Sequence, residues 1–224
     1  MSRLVAIICL CGLLWRAVSE GQWVDAPAAR RSVQRQGHLG DIISRVGRPA
    51  TYMEADPVTS AHECTHGINS DMRQQMVTKG FNCFYLLEGR AAVVMEPRVT
   101  LATIAAKVPP SMRARGYRLY LIDQQRYWNN EPLYILDELS AYLNGATVAA
   151  QLGIQDRFCD SFQSTCEFLW YAYVLRDNLP ADYDAEPLKS VIKYQTSRYN
   201  SLENFGVKRE WIKVKTTIRW EKDE

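Results

Sequence analysis

Hydrophobic and polar positions divide the chain into helical and strand-like stretches with clear stops between them. The first strong start signal is Asp56-Pro57-Val58-Thr59. Asp56 can cap a helix, and Pro57 suits its first position, where a missing N–H costs nothing. This helix is predicted to run to about Gln75. β-forming stretches at Phe81 to Leu87 and Ala91 to Met95, parted by Glu88-Gly89-Arg90, predict a hairpin. A short helix is expected from Thr100 to Lys107, ahead of Pro109-Pro110, and weak alternation predicts a strand over Tyr117 to Ile122. Pro132 to Leu152 reads as a second long helix that stops at Gly153. Ser164-x-x-Glu167 has the form of a capping box and predicts an apolar helix from there to about Asp177, with Phe168 to Tyr173 buried. A helix over Glu186 to Leu202 and an alternating strand over Trp211 to Trp220 complete the pattern. The fold class expected is α+β: a helix-rich single domain with a small β-sheet.

The first fifty residues behave differently. Arg3, the apolar run Leu4 to Trp15 and the small residues Ala17-Val18-Ser19 have the form of a signal peptide, too short to span a bilayer. Residues 20–50 are polar and basic and are expected to be a mobile leader, joining the domain near Ile42 and Ile43. The expected division is therefore 1–19 signal peptide, 20–50 leader and 51–224 a single folded domain. No later stretch is long and apolar enough to cross a membrane, so the expected location is secreted or periplasmic.

Composition narrows the partners. Of 224 residues, 47% are hydrophobic, enough for one real core. Without Arg3 and Arg16 the chain has 25 basic against 25 acidic side chains, which gives no electrostatic reason to expect nucleic acid or an anionic membrane as a partner. Cys9 and Cys11 fall in the signal segment, leaving Cys64, Cys83, Cys159 and Cys166. An even number in an exported chain predicts two disulfides with three possible pairings. A helix that starts at Ser164 lets Cys159 fold back onto Cys166, and Cys64 then pairs with Cys83.

The candidate chemistry lies in His62-Glu63-Cys64-Thr65-His66, an H-E-x-x-H pattern inside the first long helix. Residues four apart share a helix face, so both imidazoles can meet one ion. Glu63 is offset and can accept the proton of a water activated there. With three histidines in the chain, random order would yield about 0.002 such matches. Asn69 and Met72 stand where the longer metzincin pattern needs Gly and His, which excludes that class. The third ligand then comes from elsewhere, and Asp137-Glu138-Leu139-Ser140-Ala141-Tyr142 is the best source, an acid followed by small residues on a second helix.

In these motifs the chain resembles the gluzincin metallopeptidases, in which a downstream Glu on a second helix completes the site. The resemblance implies zinc, one per chain, held by His62, His66 and Glu138, with Glu63 as general base. It implies hydrolysis of a peptide or protein substrate. It departs at Asp137, where thermolysin-like members carry Asn, and at Ala141-Tyr142, where they carry Ser-Asp. The carboxylate that orients a ligand histidine is thus not identified by the pattern, and none of Tyr127, Tyr134 and Tyr142 is singled out as an oxyanion donor. Two other readings stay open: a zinc amidase acting on a non-protein amide such as a cell-wall cross-link, and a binding protein with a degenerate site.

Overall fold

The computed structural model describes residues 22–76 and 79–203. The signal segment and the strand expected over Trp211 to Trp220 lie outside them. The described chain is helix-rich α+β, with one three-stranded antiparallel sheet in the order β1-β3-β2. Its elements are β1 (Gln22–Asp25), α1 (Gly37–Arg45), α2 (Pro49–Tyr52), α3 (Pro57–Gln75), β2 (Phe81–Tyr85), β3 (Arg90–Met95) and α4 (Leu101–Lys107). A π-helical turn (Tyr117–Asp123), α5 (Gln125–Trp128), α6 (Tyr134–Leu152), α7 (Gln155–Arg176) and α8 (Glu186–Glu203) follow.

The long helices obey their local signals. Asp56 caps α3, its Oδ2 accepting from Thr59 N–H at 2.7 Å, with Pro57 at the first position. Gly153 closes α6 in the left-handed conformation, φ 69°, which costs glycine nothing. The hairpin forms, with Phe81 opposite Met95 and Tyr85 opposite Ala91.

Helix α6 is the centre of the molecule, packed on α3, α7 and α8. Most of it is buried, with Asp137, Glu138, Ser140 and Asn144 among the buried residues. One hydrophobic cluster joins α6, α7 and α8 to the hairpin, and a second fills the space between α1, α3 and the sheet. Asp137 and Glu138 therefore sit where an acid needs a partner.

Four expectations are corrected. Residues 22–50 are part of the domain, not a leader: β1 pairs with β3, and α1 buries Leu39, Ile42 and Ile43, with Val46 just beyond it. Those four positions have the i, i+3, i+4, i+7 spacing of an amphipathic helix, hidden among polar neighbours. Tyr117 to Ile122 is not a strand but the start of the π-helical turn, which buries Leu121. Helix α7 starts at Gln155, well before Ser164, because Phe158 and Phe162 extend its apolar stripe backwards. Glu167 Oε2 accepts from Gly116 N–H at 2.9 Å instead of capping its own helix.

The fourth correction concerns the cysteines. Cys64, Cys83, Cys159 and Cys166 are all free thiols. Cys159 and Cys166 both lie on α7, where seven residues of rise separate their Cα atoms by about 10 Å, too far for a bridge. Cys64 and Cys83 are both fully buried in the cluster between α3 and the sheet.

Candidate metal centre

Helix α3 turns Ala61, Cys64 and Ile68 into the core and His62 and His66 towards α6. Cys64 thus points away from the imidazoles, as its 200° offset from His62 predicts. Its thiol lies 3.7 Å from Tyr52 O, and burial pushes it up to about 11. Close packing behind the helix explains Gly67: a Cβ there would come within 2.8 Å of Tyr52 and Val46 side-chain atoms. Gly145 eases the approach of α6, since a Cβ there would stand 3.4 Å from the Val58 carbonyl.

His62, His66 and Glu138 converge, with ligand atoms all within 4.8 Å of one another, and this buried group could hold a metal ion. The two Nε2 atoms are 3.0 Å apart, and each lies 3.6 Å from Glu138 Oε2. Tetrahedral coordination at ~2 Å bond lengths places neighbouring ligand atoms about 3.3 Å apart, so the triangle has the right size. Glu138 Oε2 is buried with no hydrogen-bond partner. Such an oxygen, aimed at two imidazole nitrogens, is the atom a cation would satisfy. Its sister Oε1 lies 2.6 Å from the Tyr134 hydroxyl, which fixes the carboxylate plane.

Asp137, one residue earlier on α6, holds the other side of the His66 ring. Its Oδ2 is 3.2 Å from His66 Nδ1. Its Oδ1 accepts from Asn69 Nδ2 at 2.5 Å, and Asn69 Oδ1 in turn accepts from Tyr85 N–H at 2.7 Å. Arg73 Nη1 is 3.7 Å from Asp137 Oδ2. Burial alone would raise the Asp137 carboxyl, but His66, Arg73 and Asn69 hold it below the usual carboxylate range. Burial would also lower His66, and Asp137 and Glu138 outweigh it, raising that imidazole well above its ordinary value. His62 has no such carboxylate at its back: burial and the neighbouring His66 bring it down to about 4. The pattern of the chain left the orienting carboxylate open; the carboxylate that lies against His66 Nδ1 is that of Asp137.

A cavity of about 400 Å³ opens beside this group, lined by α3, the π-helical turn, α6 and α7. His62 and Glu63 form one wall. Glu63 is half-buried, and its carboxyl is raised by burial and by nearby Glu138 and Glu54, against a lowering from His66. Tyr120 and Tyr142 form another wall, their hydroxyls 2.5 Å apart, with the Tyr142 ring edge-on to His62 at 4.4 Å. Sequence reasoning missed Tyr120, because a strand reading of Tyr117 to Ile122 gave it no fixed direction. Of the tyrosines considered there, Tyr127 is 64% exposed and Tyr134 is taken up by Glu138. His38 makes no part of the cluster.

Among the described residues no helix is long and apolar enough to cross a membrane. No protein-family model matches the chain, and no curated protein or solved structure matches it.

Proposed function

We propose that the chain is a zinc-dependent metallopeptidase. The observation that carries this reading is the buried, unpartnered Glu138 Oε2 facing His62 Nε2 and His66 Nε2 at 3.6 Å, beside a cavity that Glu63 lines. Two imidazoles and a carboxylate at tetrahedral spacing suit zinc, His66 giving up its extra proton on binding. When bound, such an ion supplies the Lewis acidity that makes water a nucleophile near neutral pH.

The chain's own residues supply the rest. Asp137 accepts from His66 Nδ1–H and so leaves Nε2 free to act as a ligand. Glu63, its carboxyl raised by burial, takes the proton of the attacking water and passes it to the leaving amine. The Tyr120 hydroxyl, kept protonated by burial, donates to the oxygen on which negative charge develops. Retention of a base such as Glu63 argues against a binding protein, which has no use for it.

A second reading, hydrolysis of a compact non-protein amide, is favoured by the cavity itself. Its volume is about 400 Å³, at the small-ligand end of the usual range, and no described strand lines it to pair with an extended polypeptide. A screen of short peptides against cell-wall amides separates the two.

Export to a secreted or periplasmic space rests on Arg3, Leu4 to Trp15 and Ala17 to Ser19 alone, since the cysteines add nothing to it. Metal analysis tests the site: wild type should bind one zinc, and His66→Ala and Glu138→Ala should bind it poorly. Glu63→Gln should keep zinc and lose hydrolysis by about 10²- to 10⁴-fold. Equal zinc in wild type and His66→Ala would end the proposal.

A further inference from the structure

A half-buried acid, Glu96, reaches one of the helices that carry the ligands directly and the other through two side chains. Glu96 follows the last residue of β3, and burial pushes its carboxyl up to about 7. No ion pair reaches it among the described residues, so its oxygens are satisfied by neutral donors. Each donor leads to a different helix.

Glu96 Oε1 accepts the Leu133 N–H at 2.8 Å. Leu133 is the residue on which α6 begins, and it makes no side-chain cap of its own. An anion at a helix start satisfies a free N–H and complements the helix dipole, so Glu96 serves as the cap that α6 lacks. Asp137 and Glu138 stand just over one turn further along.

Glu96 Oε2 accepts from Asn82 Nδ2 on β2. Asn82 Oδ1 accepts from Arg73 Nη1 at 3.1 Å, and that nitrogen is 3.7 Å from Asp137 Oδ2, which holds His66. One carboxylate therefore fixes the start of α6 directly and the end of α3 through two side chains. Ionised, as it is above pH 7, Glu96 accepts at both oxygens at once, which an amide or an alkyl group cannot do. A half-buried acid with no ion-pair partner among the described residues is a costly way to fill this position, and packing alone would favour a neutral side chain.

We infer that Glu96 is a positioning residue: it clamps α3 and α6 to the end of the hairpin at the spacing the three ligand atoms need, so that metal affinity depends on it. The inference rests on reading His62, His66 and Glu138 as metal ligands.

The test uses the intact chain and zinc alone, with affinity read by competition against a chromophoric chelator and apo-protein unfolding read separately by denaturant. In Glu96→Gln the new amide meets the Asn82 amide donor to donor, which severs the α3 arm. Zinc affinity should fall about tenfold, as it does for other outer partners of metal sites. Asn82→Ala should weaken zinc similarly, and it serves if Glu96→Gln does not fold. The double variant should be little worse than either single one, because both cut the same chain of contacts. Zinc affinity within twofold of wild type in both single variants, with only unfolding altered, would reduce Glu96 to a structural role and overturn the inference. So would fully additive losses. Absence of zinc binding by the wild type would sink the ligand reading itself, a result distinct from either.

Discussion

His66 is gripped at both ring nitrogens by consecutive residues of one helix: Nδ1 lies 3.2 Å from Asp137 Oδ2 and Nε2 lies 3.6 Å from Glu138 Oε2. Adjacent residues point about 100° apart on a helix, so a ring inserted between them meets one carboxylate on each edge. This geometry explains why an acidic pair serves where a single acid would leave the imidazole free to rotate. It also separates the roles of the two acids, since Asp137 is saturated by Asn69, Arg73 and His66 while Glu138 keeps one oxygen unpartnered.

Asp137→Asn should therefore weaken metal binding without removing a ligand. The new amide would present N–H to Asn69 or Arg73, both donors, and would disturb the hydrogen bond that fixes the His66 tautomer. Loss of metal affinity by about 10- to 100-fold is expected, read by chelator competition. An unchanged dissociation constant would show that His66 needs no support from behind.

Glu96 makes stability depend on pH. Its folded pKa, about 7, lies above the ordinary 4.5. The folded state therefore binds this proton more tightly than the unfolded one. The resulting stability is fully present below pH 4.5 and is lost as pH rises through 7. Relative to wild type, apo Glu96→Gln should gain stability across that window, by on the order of 3 kcal/mol at pH 8. Denaturant titrations of both proteins at pH 4.5, 6 and 8 measure it. A difference that stays flat with pH would mean that Glu96 titrates normally.

The thiols should differ sharply in reactivity. Cys64 and Cys83 are fully buried, and burial pushes both up to about 11, whereas Cys159 is half-buried. Native protein should present Cys159 first to a thiol reagent, with Cys64 and Cys83 reacting only on unfolding. A Cys159–Cys166 bridge in an unreduced peptide map would contradict a continuous α7.

Much of the site was legible because it obeys local rules. Asp56-Pro57 started α3, four-residue spacing put His62 and His66 on one face, and small residues marked α6 as the helix that could approach. What stayed hidden depends on tertiary contacts. Asp137 is only the residue before a candidate ligand until α3 and α6 are packed and the His66 ring falls between them. Glu96 ends a strand, and nothing local says that its oxygens reach Asn82 and Leu133. Helix α1 was masked by polar neighbours around Leu39, Ile42, Ile43 and Val46, whose value appears only against the α3 face they cover. The capping box at Ser164 was a false start, because Phe158 and Phe162, which bury an earlier turn, outweighed a local hydrogen-bond pattern.

Tyr120 tests the catalytic half of the proposal apart from the metal. The π-helical turn carries Tyr120 into the cavity wall while leaving Leu119 and Ile122 more than 40% exposed. Widened turns of this kind recur at functional sites because they redirect one side chain without breaking the helix. The Tyr120 hydroxyl is hydrogen-bonded to the Tyr142 hydroxyl and is not itself one of the three ligand groups, so its removal should spare the metal. Tyr120→Phe should retain zinc at wild-type affinity and lower kcat by about 10²-fold or more, with KM changed little, if the hydroxyl donates only as charge develops. Tyr142→Phe should cost much less, because Tyr142 only orients its neighbour. A loss confined to KM in Tyr120→Phe would make this residue part of substrate binding. A larger loss in Tyr142→Phe than in Tyr120→Phe would move the donor to Tyr142, whose ring already rests against His62.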